Sequence, residues 1–98
     1  MHAHPMILIT AVCEESLVPY LIEVLQQGGA TGYTITPAQG LSFSRRDKEV
    51  PRHVVQVVVP HEEAEHILQE IHQRNLHDRS FILWTTEVRV FRRGRFVS

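Results

Sequence analysis

The sequence predicts a single α+β domain, residues 1–98, whose elements follow the order β-α-β-β-α-β. Three observations predict this. The chain has 98 residues, 43% of them hydrophobic and 21% charged, which suits one globular core. Several segments of strand length are continuously apolar or alternate with polar residues. Two intervening segments switch to helical spacing. This order is that of the ferredoxin-like fold, in which both helices pack on one face of an antiparallel sheet.

The first half of the chain supplies the first strand and the first helix. Met6–Val12 (MILITAV) is an apolar run rich in β-branched residues, typical of a strand. Pro19 is tolerated only near the first helical turn, so the helix is expected to begin at Ser16 or later. Gly28 and Gly29 are expected to end it. Its apolar positions share one face: Leu17, Leu21, Val24 and Leu25.

The second half contains three further elements around a second helix. Gly32–Ala38 alternates and predicts the second strand, and residues 52–59 predict the third strand, which Pro60 ends. Residues 61–74 predict a helix, and residues 80–92 predict one last strand or two in succession. The second helix has a narrow apolar stripe: Ala64, Ile67, Leu68 and Ile71.

The segment Leu41–Pro51 is polar and charged without a usable period, so it is predicted to be a loop. Connections between adjacent antiparallel strands usually have two to five residues, and longer ones are often functional. A merely solvated loop is the alternative. The candidate partner contacts in it are the cations Arg45, Arg46 and Lys48. The candidate ligand contacts at its start are Gly40, which allows close approach of the backbone, and the hydroxyls of Ser42 and Ser44.

The predicted strands are apolar on both faces, although two helices can cover only one. Residues 54–59 (VVQVVV) place valines on both sides, as Met6–Ile9 and Phe81–Trp84 do with other apolar residues. A bare second face would expose side chains worth roughly 1.5–3 kcal/mol each when buried. We therefore expect this face to be buried against other copies of the chain. Loops or termini of the same chain are the alternative cover.

Composition argues against several classes of function. A formal charge of −1 gives no broad field for nucleic acid, and the middle strands offer no aromatics for stacking RNA bases. Cys13 is the one cysteine, which excludes an internal disulfide and fits a reducing cytoplasm. No obvious base neighbours Cys13, and no carboxylate pair has a spacing typical of acid–base catalysis. The sequence therefore predicts a cytoplasmic protein that is not an enzyme.

The seven histidines raise metal binding as an alternative. Their spacing does not place two imidazoles on one helical face, because His61, His66, His72 and His77 never recur at i, i+4. No metal ligand is therefore assigned. A metal-responsive or ferredoxin-like metal-binding protein remains the second hypothesis.

The C-terminal run RVFRRGR contributes Arg89, Arg92 and Arg93, on or just after the last strand. A guanidinium group can bind two oxygens of a phosphate or carboxylate at once, so these residues are candidates for an anion site. A solvated sheet edge or an RNA-contacting patch would use the same residues.

Together these segments resemble the PII signalling proteins. GATGYTIT followed by AQG is similar to the strand that leads into their T-loop, VQVVVP to the strand after it, and EVRVFRRG to their arginine-rich last strand. The resemblance implies a homotrimer that binds adenine nucleotides in the clefts between subunits, with residues 41–51 as a short T-loop. The implied nucleotide contacts are Gly32, Thr34, Gly40, Ser42 and Ser44, with Arg89, Arg92 and Arg93 at the phosphates.

Two departures from the family narrow this expectation. The T-loop is shorter than in nitrogen-regulatory members and lacks their modifiable tyrosine. Their glycine- and lysine-rich B-loop is replaced by NLHDRSF, where only Arg79 could stand for its lysine. Fewer phosphate donors favour ADP or AMP over ATP. Short T-loops are similar to those of PII-like proteins of inorganic-carbon uptake and carboxysomes, which implies bicarbonate as a further ligand and a transporter or carboxysome-related protein as the partner.

Overall fold

In the computed structural model, the structure is described for residues 3–42, 45–74, 76 and 81–91, and the side chains of residues 40–50 are left out of the description. The described elements follow the predicted β-α-β-β-α-β order. Their bounds are β1 His4–Glu14, α1 Val18–Gln27, β2 Thr34–Ser42, β3 Arg45–Val59, α2 His61–Gln73 and β4 Phe81–Val90.

The four strands form one antiparallel sheet in the order β2-β3-β1-β4. β1 lies in the centre, where it pairs with β3 from Ile7 to Glu14 and with β4 from His4 to Cys13. The last segment is a single continuous strand rather than two. β2 and β4 are therefore the two edge strands of the sheet. The side chains of β2 are separated from those of β4 by the two strands between them.

Both ends of α1 follow the expected rules. A 3₁₀ turn at Glu15–Leu17 precedes it, and Pro19 falls in the first turn, where its missing N–H costs nothing. At the other end Gly29 has φ +99°, a left-handed conformation that glycine adopts without strain. Gly28 fulfils a packing requirement, because a Cβ there would lie 2.3 Å from Cγ1 of Ile67 in α2.

One face of the sheet packs against the two helices and contains the core. On this face lie every second residue of β1 and β3, including Ile9, Cys13 and Val57, all almost fully buried. The predicted stripes of both helices cover them, although Leu68 is only half-buried. The helix residues of this core are Leu17, Leu21, Val24, Leu25, Ala64, Ile67 and Ile71.

Neither of the two described helices lies on the opposite face, which is called the open face below. Its side chains are the intervening residues of the strands, because directly paired residues project on the same side. Val54 and Val58 lie here, which confirms that the third strand is apolar on both sides. On β4, the open face includes Ile82, which is 60% exposed, and Trp84, which is 46% exposed.

The segment Leu41–Pro51 is not the irregular loop that its composition predicted. β2 continues to Ser42 and β3 begins at Arg45, and the two strands pair from Thr34↔Gln56 to Ser42↔Arg45 with an irregular register between Gly40 and Ser42. Backbone N–H and C=O groups satisfy one another in such a hairpin whatever the side chains are. A charged stretch without alternation therefore carries no signal for these strands.

Candidate functional site

A row of side chains crosses the open face from one edge of the sheet to the other. The pairing places Thr34 of β2 beside Gln56, Gln56 beside Thr10, and Thr10 beside Trp84. Nε2 of Gln56 donates to Oγ1 of Thr10 over 3.4 Å. Thr10 is only 3% exposed although no helix covers it. The row therefore brings polar groups and one large aromatic onto a face that is otherwise mostly apolar.

The predicted contacts Gly32 and Thr34 lie at the β2 edge of this row. Thr34 is the first residue of β2 and is exposed, and Gly32 lies two residues before it. A Cβ at Gly32 would have no atom within 4 Å, and its φ is not among the positive ones. Packing within this chain therefore does not require a glycine at position 32. A ligand or a second chain that approaches the backbone closely would be a reason for one.

The predicted loop residues lie on the two arms of the hairpin. In β2, Gly40 pairs with Val50, just before the irregular register, and Ser42 is the last residue of the strand. In β3, Arg45, Arg46 and Lys48 lie at the beginning of the strand, and only their backbone is described. Ser44 lies outside the described residues.

Arg89 lies at the other edge of the sheet, on β4, where it pairs with Pro5 and is exposed. With Glu87 and His61 it borders a cavity of about 510 Å³. Strands are spaced about 4.8 Å apart, so an edge-to-edge distance across four strands is about 14 Å. One chain thus does not bring Arg89 to Thr34. The other arginines assigned to phosphate lie outside the described residues: Arg79, Arg92 and Arg93.

A second cavity, of about 800 Å³, lies at the base of the β2–β3 hairpin and escaped the sequence reasoning. It is lined on β2 by Pro37 and Gln39, on β3 by Arg52 and His53, and by Glu15 from the 3₁₀ turn. Nδ1 of His53 is buried without a hydrogen-bond partner in the described part of the chain. Arg52 and His53 were predicted only as the beginning of the third strand, and that pattern carries no signal for a cavity beside them.

Cys13 is completely buried on the helix-covered face. Burial, with a smaller effect of the Glu14 carboxylate, raises the pKa of its thiol above the ordinary value. A thiol of this kind remains protonated and shielded at neutral pH, so it is unsuited to nucleophilic chemistry. Within the ranges that the structure covers, no three His, Cys, Asp or Glu side chains are grouped so that they could hold a metal ion.

Comparison with known proteins identifies the class of protein to which this chain belongs, that of the PII-like regulatory proteins. The family model described as "Nitrogen regulatory protein P-II" matches residues 6–95. The chain therefore belongs to the P-II family, which confirms the resemblance drawn from its strands. A sequence search of the curated proteins returned no match.

Solved structures agree with this assignment. A PII-like signaling protein from Thermus thermophilus is 32% identical, with a TM-score of 0.82, and the match covers 99% of this chain and 100% of that one. CPII from Thiomonas intermedia K12, bound to ADP, AMP and acetate, is 19% identical, with a TM-score of 0.81 and 98% coverage of both chains. The same protein bound to ADP, AMP and bicarbonate is 18% identical, with a TM-score of 0.80 and coverage of 94% and 99%.

The comparisons confirm the PII-like fold, a four-stranded antiparallel sheet with two helices. They add no residue to the predicted site. Among the described helices, none is long and apolar enough to cross a membrane.

Proposed function

We propose that this protein is a homotrimeric PII-like regulator that binds ADP or AMP in clefts between its subunits. The observation that carries the proposal is the separation of the predicted contacts. Gly32 and Thr34 lie at one edge of the sheet and Arg89 at the other, with two strands between them. A phosphate-binding arginine and a nucleoside-binding strand can then meet only when two copies of the chain stand side by side.

The open face supports the association that such clefts require. Its two large exposed side chains are Ile82, 60% exposed, and Trp84, 46% exposed, and another chain on this face would bury that remaining area. Among the side chains of this face that the structure describes, the charged ones are Glu14 and Arg52, which pair directly across β1 and β3. Another copy therefore meets no excess of like charge on this face, and the apolar area supplies the driving force.

The nucleotide assignment draws on the ligands of CPII and on the environment of the proposed cleft. CPII is described with ADP, AMP and bicarbonate bound. In this chain Gly32 leaves open space at the edge of β2, so a flat group can approach the backbone there. With only Arg79 in place of a lysine-rich loop, the site favours ADP or AMP over ATP. Bicarbonate is proposed as a second ligand.

The regulatory output is proposed to pass through the β2–β3 hairpin, residues 41–51, acting as a short T-loop. The cations Arg45, Arg46 and Lys48 give it a surface for an acidic partner, such as a transporter or a carboxysome-related protein. Nucleotide binding shifts the hairpin between two arrangements only as far as its affinity for them differs. The protein acts by binding, not by catalysis, in the cytoplasm.

Calorimetry with ADP, AMP and ATP tests the ligand part of this proposal. We expect binding of ADP and AMP with one site per chain, and weaker binding of ATP. Arg89→Ala should weaken ADP binding at least tenfold, because a charge-assisted bond to phosphate contributes roughly 1.5–3 kcal/mol. Glu87→Ala, two residues away on the same strand, is the matched control and should not weaken it. Failure of all three nucleotides to bind would remove the proposal.

A further inference from the structure

The most unusual feature of the open face is the polar pair at its centre. The sheet rows on either side of the pair are mainly apolar: Leu8 and Val58 on one side, Val12 and Val54 on the other. Between them lie Thr10 and Gln56, joined by the 3.4 Å hydrogen bond. Among the described residues, Thr10 is the one polar residue that is buried.

The pair is incompletely satisfied by its own chain. The Gln56 amide has an acceptor oxygen and two donor hydrogens, and the bond to Thr10 uses one hydrogen. Within the described ranges no partner is found for the oxygen or for the second hydrogen. Gln56 is partly exposed in the single chain, so water can bind both atoms. Covering the face removes that water.

Apolar burial alone does not define how two such faces meet. The hydrophobic effect is non-directional, so flat apolar faces can associate in several registers of similar free energy. An amide that loses its water without gaining a new partner is left unsatisfied, and this penalises every register that does not supply a partner. A buried polar residue in an apolar interface is an established means of selecting one register and one oligomer.

We propose that the Thr10–Gln56 pair restricts the association of the open face to a single oligomer, with a second copy of this chain as the occupant. This inference rests on the proposed function for the existence of the oligomer, and it adds the residues that determine its uniqueness. The occupant is a copy because the described side chains of the face balance in charge, Glu14 against Arg52, and because Trp84 lies beside Thr10 and Ile82 lies one row further along β4. The pair contributes specificity, and the apolar rows contribute affinity.

Native mass spectrometry of the nucleotide-free protein tests the proposal with Thr10→Val/Gln56→Leu, which keeps the shape of both side chains nearly unchanged. The wild type is expected to give one oligomer, and the double variant two or more oligomers or registers at the same concentration. Thr10→Ser, which keeps the hydroxyl, and Val58→Ile, an apolar change in the adjacent row, should both keep the single oligomer. Measuring without nucleotide separates this effect from any contact of Gln56 with a ligand.

Two results would overturn the proposal. A double variant that forms the same single oligomer as the wild type would show that apolar contacts alone define the register. A double variant that becomes monomeric, while its circular dichroism stays that of the wild type, would show that the pair supplies affinity. If the double variant does not fold, Gln56→Leu alone gives the same readout. A monomeric wild type would instead remove the proposed function itself.

Discussion

The two faces of the sheet differ in how completely a single chain buries their apolar side chains. The helix-covered face buries Ile9, Val57 and Ile67 to 4% exposure or less, whereas the open face leaves Ile82 at 60% and Trp84 at 46%. Both faces use the same β-branched strands. Within the described residues, a single chain therefore buries large apolar side chains fully on the helix-covered side and leaves two of them exposed on the other. In the proposed assembly the other side is completed by copies, so folding and association depend on opposite sides of the same strands.

The largest expected effect concerns assembly. Trp84→Asp places a charge on the β4 side of the open face. Burial of an unpaired carboxylate there against another chain is prohibitive. We expect light scattering to show a single chain where the wild type shows an oligomer, with secondary structure retained. Tyr20→Asp is the matched control, because Tyr20 is 57% exposed but lies on α1, on the other side of the sheet. If the Trp84→Asp variant still assembled, a charge would be tolerated on the open face as well as on α1, and the expected difference between the two sides would be wrong.

A large effect on folding is expected on the helix-covered face. Ile67 is completely buried, and Ile67→Ala should lower the free energy of unfolding by about 2–5 kcal/mol. Ile82→Ala removes the same atoms from the open face. In an assembly-deficient Trp84→Asp background it should cost less than about 1 kcal/mol. Urea unfolding of the two variants in that background makes the comparison, and equal losses would contradict it.

A smaller effect separates two glycines of the connection between α1 and β2, Gly28 and Gly32. Gly28→Ala forces a methyl group to within 2.3 Å of Cγ1 of Ile67, and overpacking of this kind costs about 1–3 kcal/mol. Gly32→Ala meets no atom within 4 Å and should leave the unfolding free energy nearly unchanged. Thermal unfolding distinguishes them. If Gly32→Ala were the more destabilising of the two, Gly32 would have a structural role within the chain.

The smallest effect concerns the link between the helices. Arg74 lies at the end of α2 and contacts Glu70 at 3.0 Å, Gln27 at 3.1 Å and Glu23 at 3.8 Å, the last two on α1. Its side chain is 30% exposed, so solvent screens the charges, and Arg74→Ala should cost about 0.5–1 kcal/mol, less in high salt.

The control for Arg74 is Glu65→Gln. It breaks a pair with His61 in which both side chains are at least 70% exposed, and it should have almost no effect on unfolding. If Glu65→Gln lowered the free energy of unfolding as much as Arg74→Ala does, an exposed ion pair would stabilise the fold as much as the link between the helices.

The sequence was sufficient for the parts of the fold that depend on local pattern. The apolar run of β1, the helical stripe with Ile67 and the C-terminal glycines of α1 each lie where they were predicted. The hairpin between Gly40 and Val50 was not predictable, since its strands form through backbone pairing and carry no alternation. The cavity beside His53 depends on the approach of distant segments, which no local pattern encodes.

The residues of the candidate site stay a prediction, and their places in the fold could not be predicted from the sequence. Its residues were chosen by resemblance, and only the sheet order shows that Thr34 and Arg89 lie on opposite edges. Pairing order is a long-range property, because each strand contributes the same alternation to either neighbour. The expectation for Arg79, Arg92 and Arg93 stays a prediction.

In the proposed assembly each nucleotide site is shared by two chains, and an experiment that mixes two variant subunits can test this sharing. Gly32→Trp fills the open space at the β2 edge of the proposed cleft, and Arg89→Ala removes the guanidinium at the β4 edge. Each variant alone should bind ADP poorly while its oligomer persists. Refolding the two together should restore wild-type affinity in a fraction of the sites, because some clefts then combine an intact Gly32 with an intact Arg89. Mixed oligomers that bind no better than the separate variants would contradict the shared site.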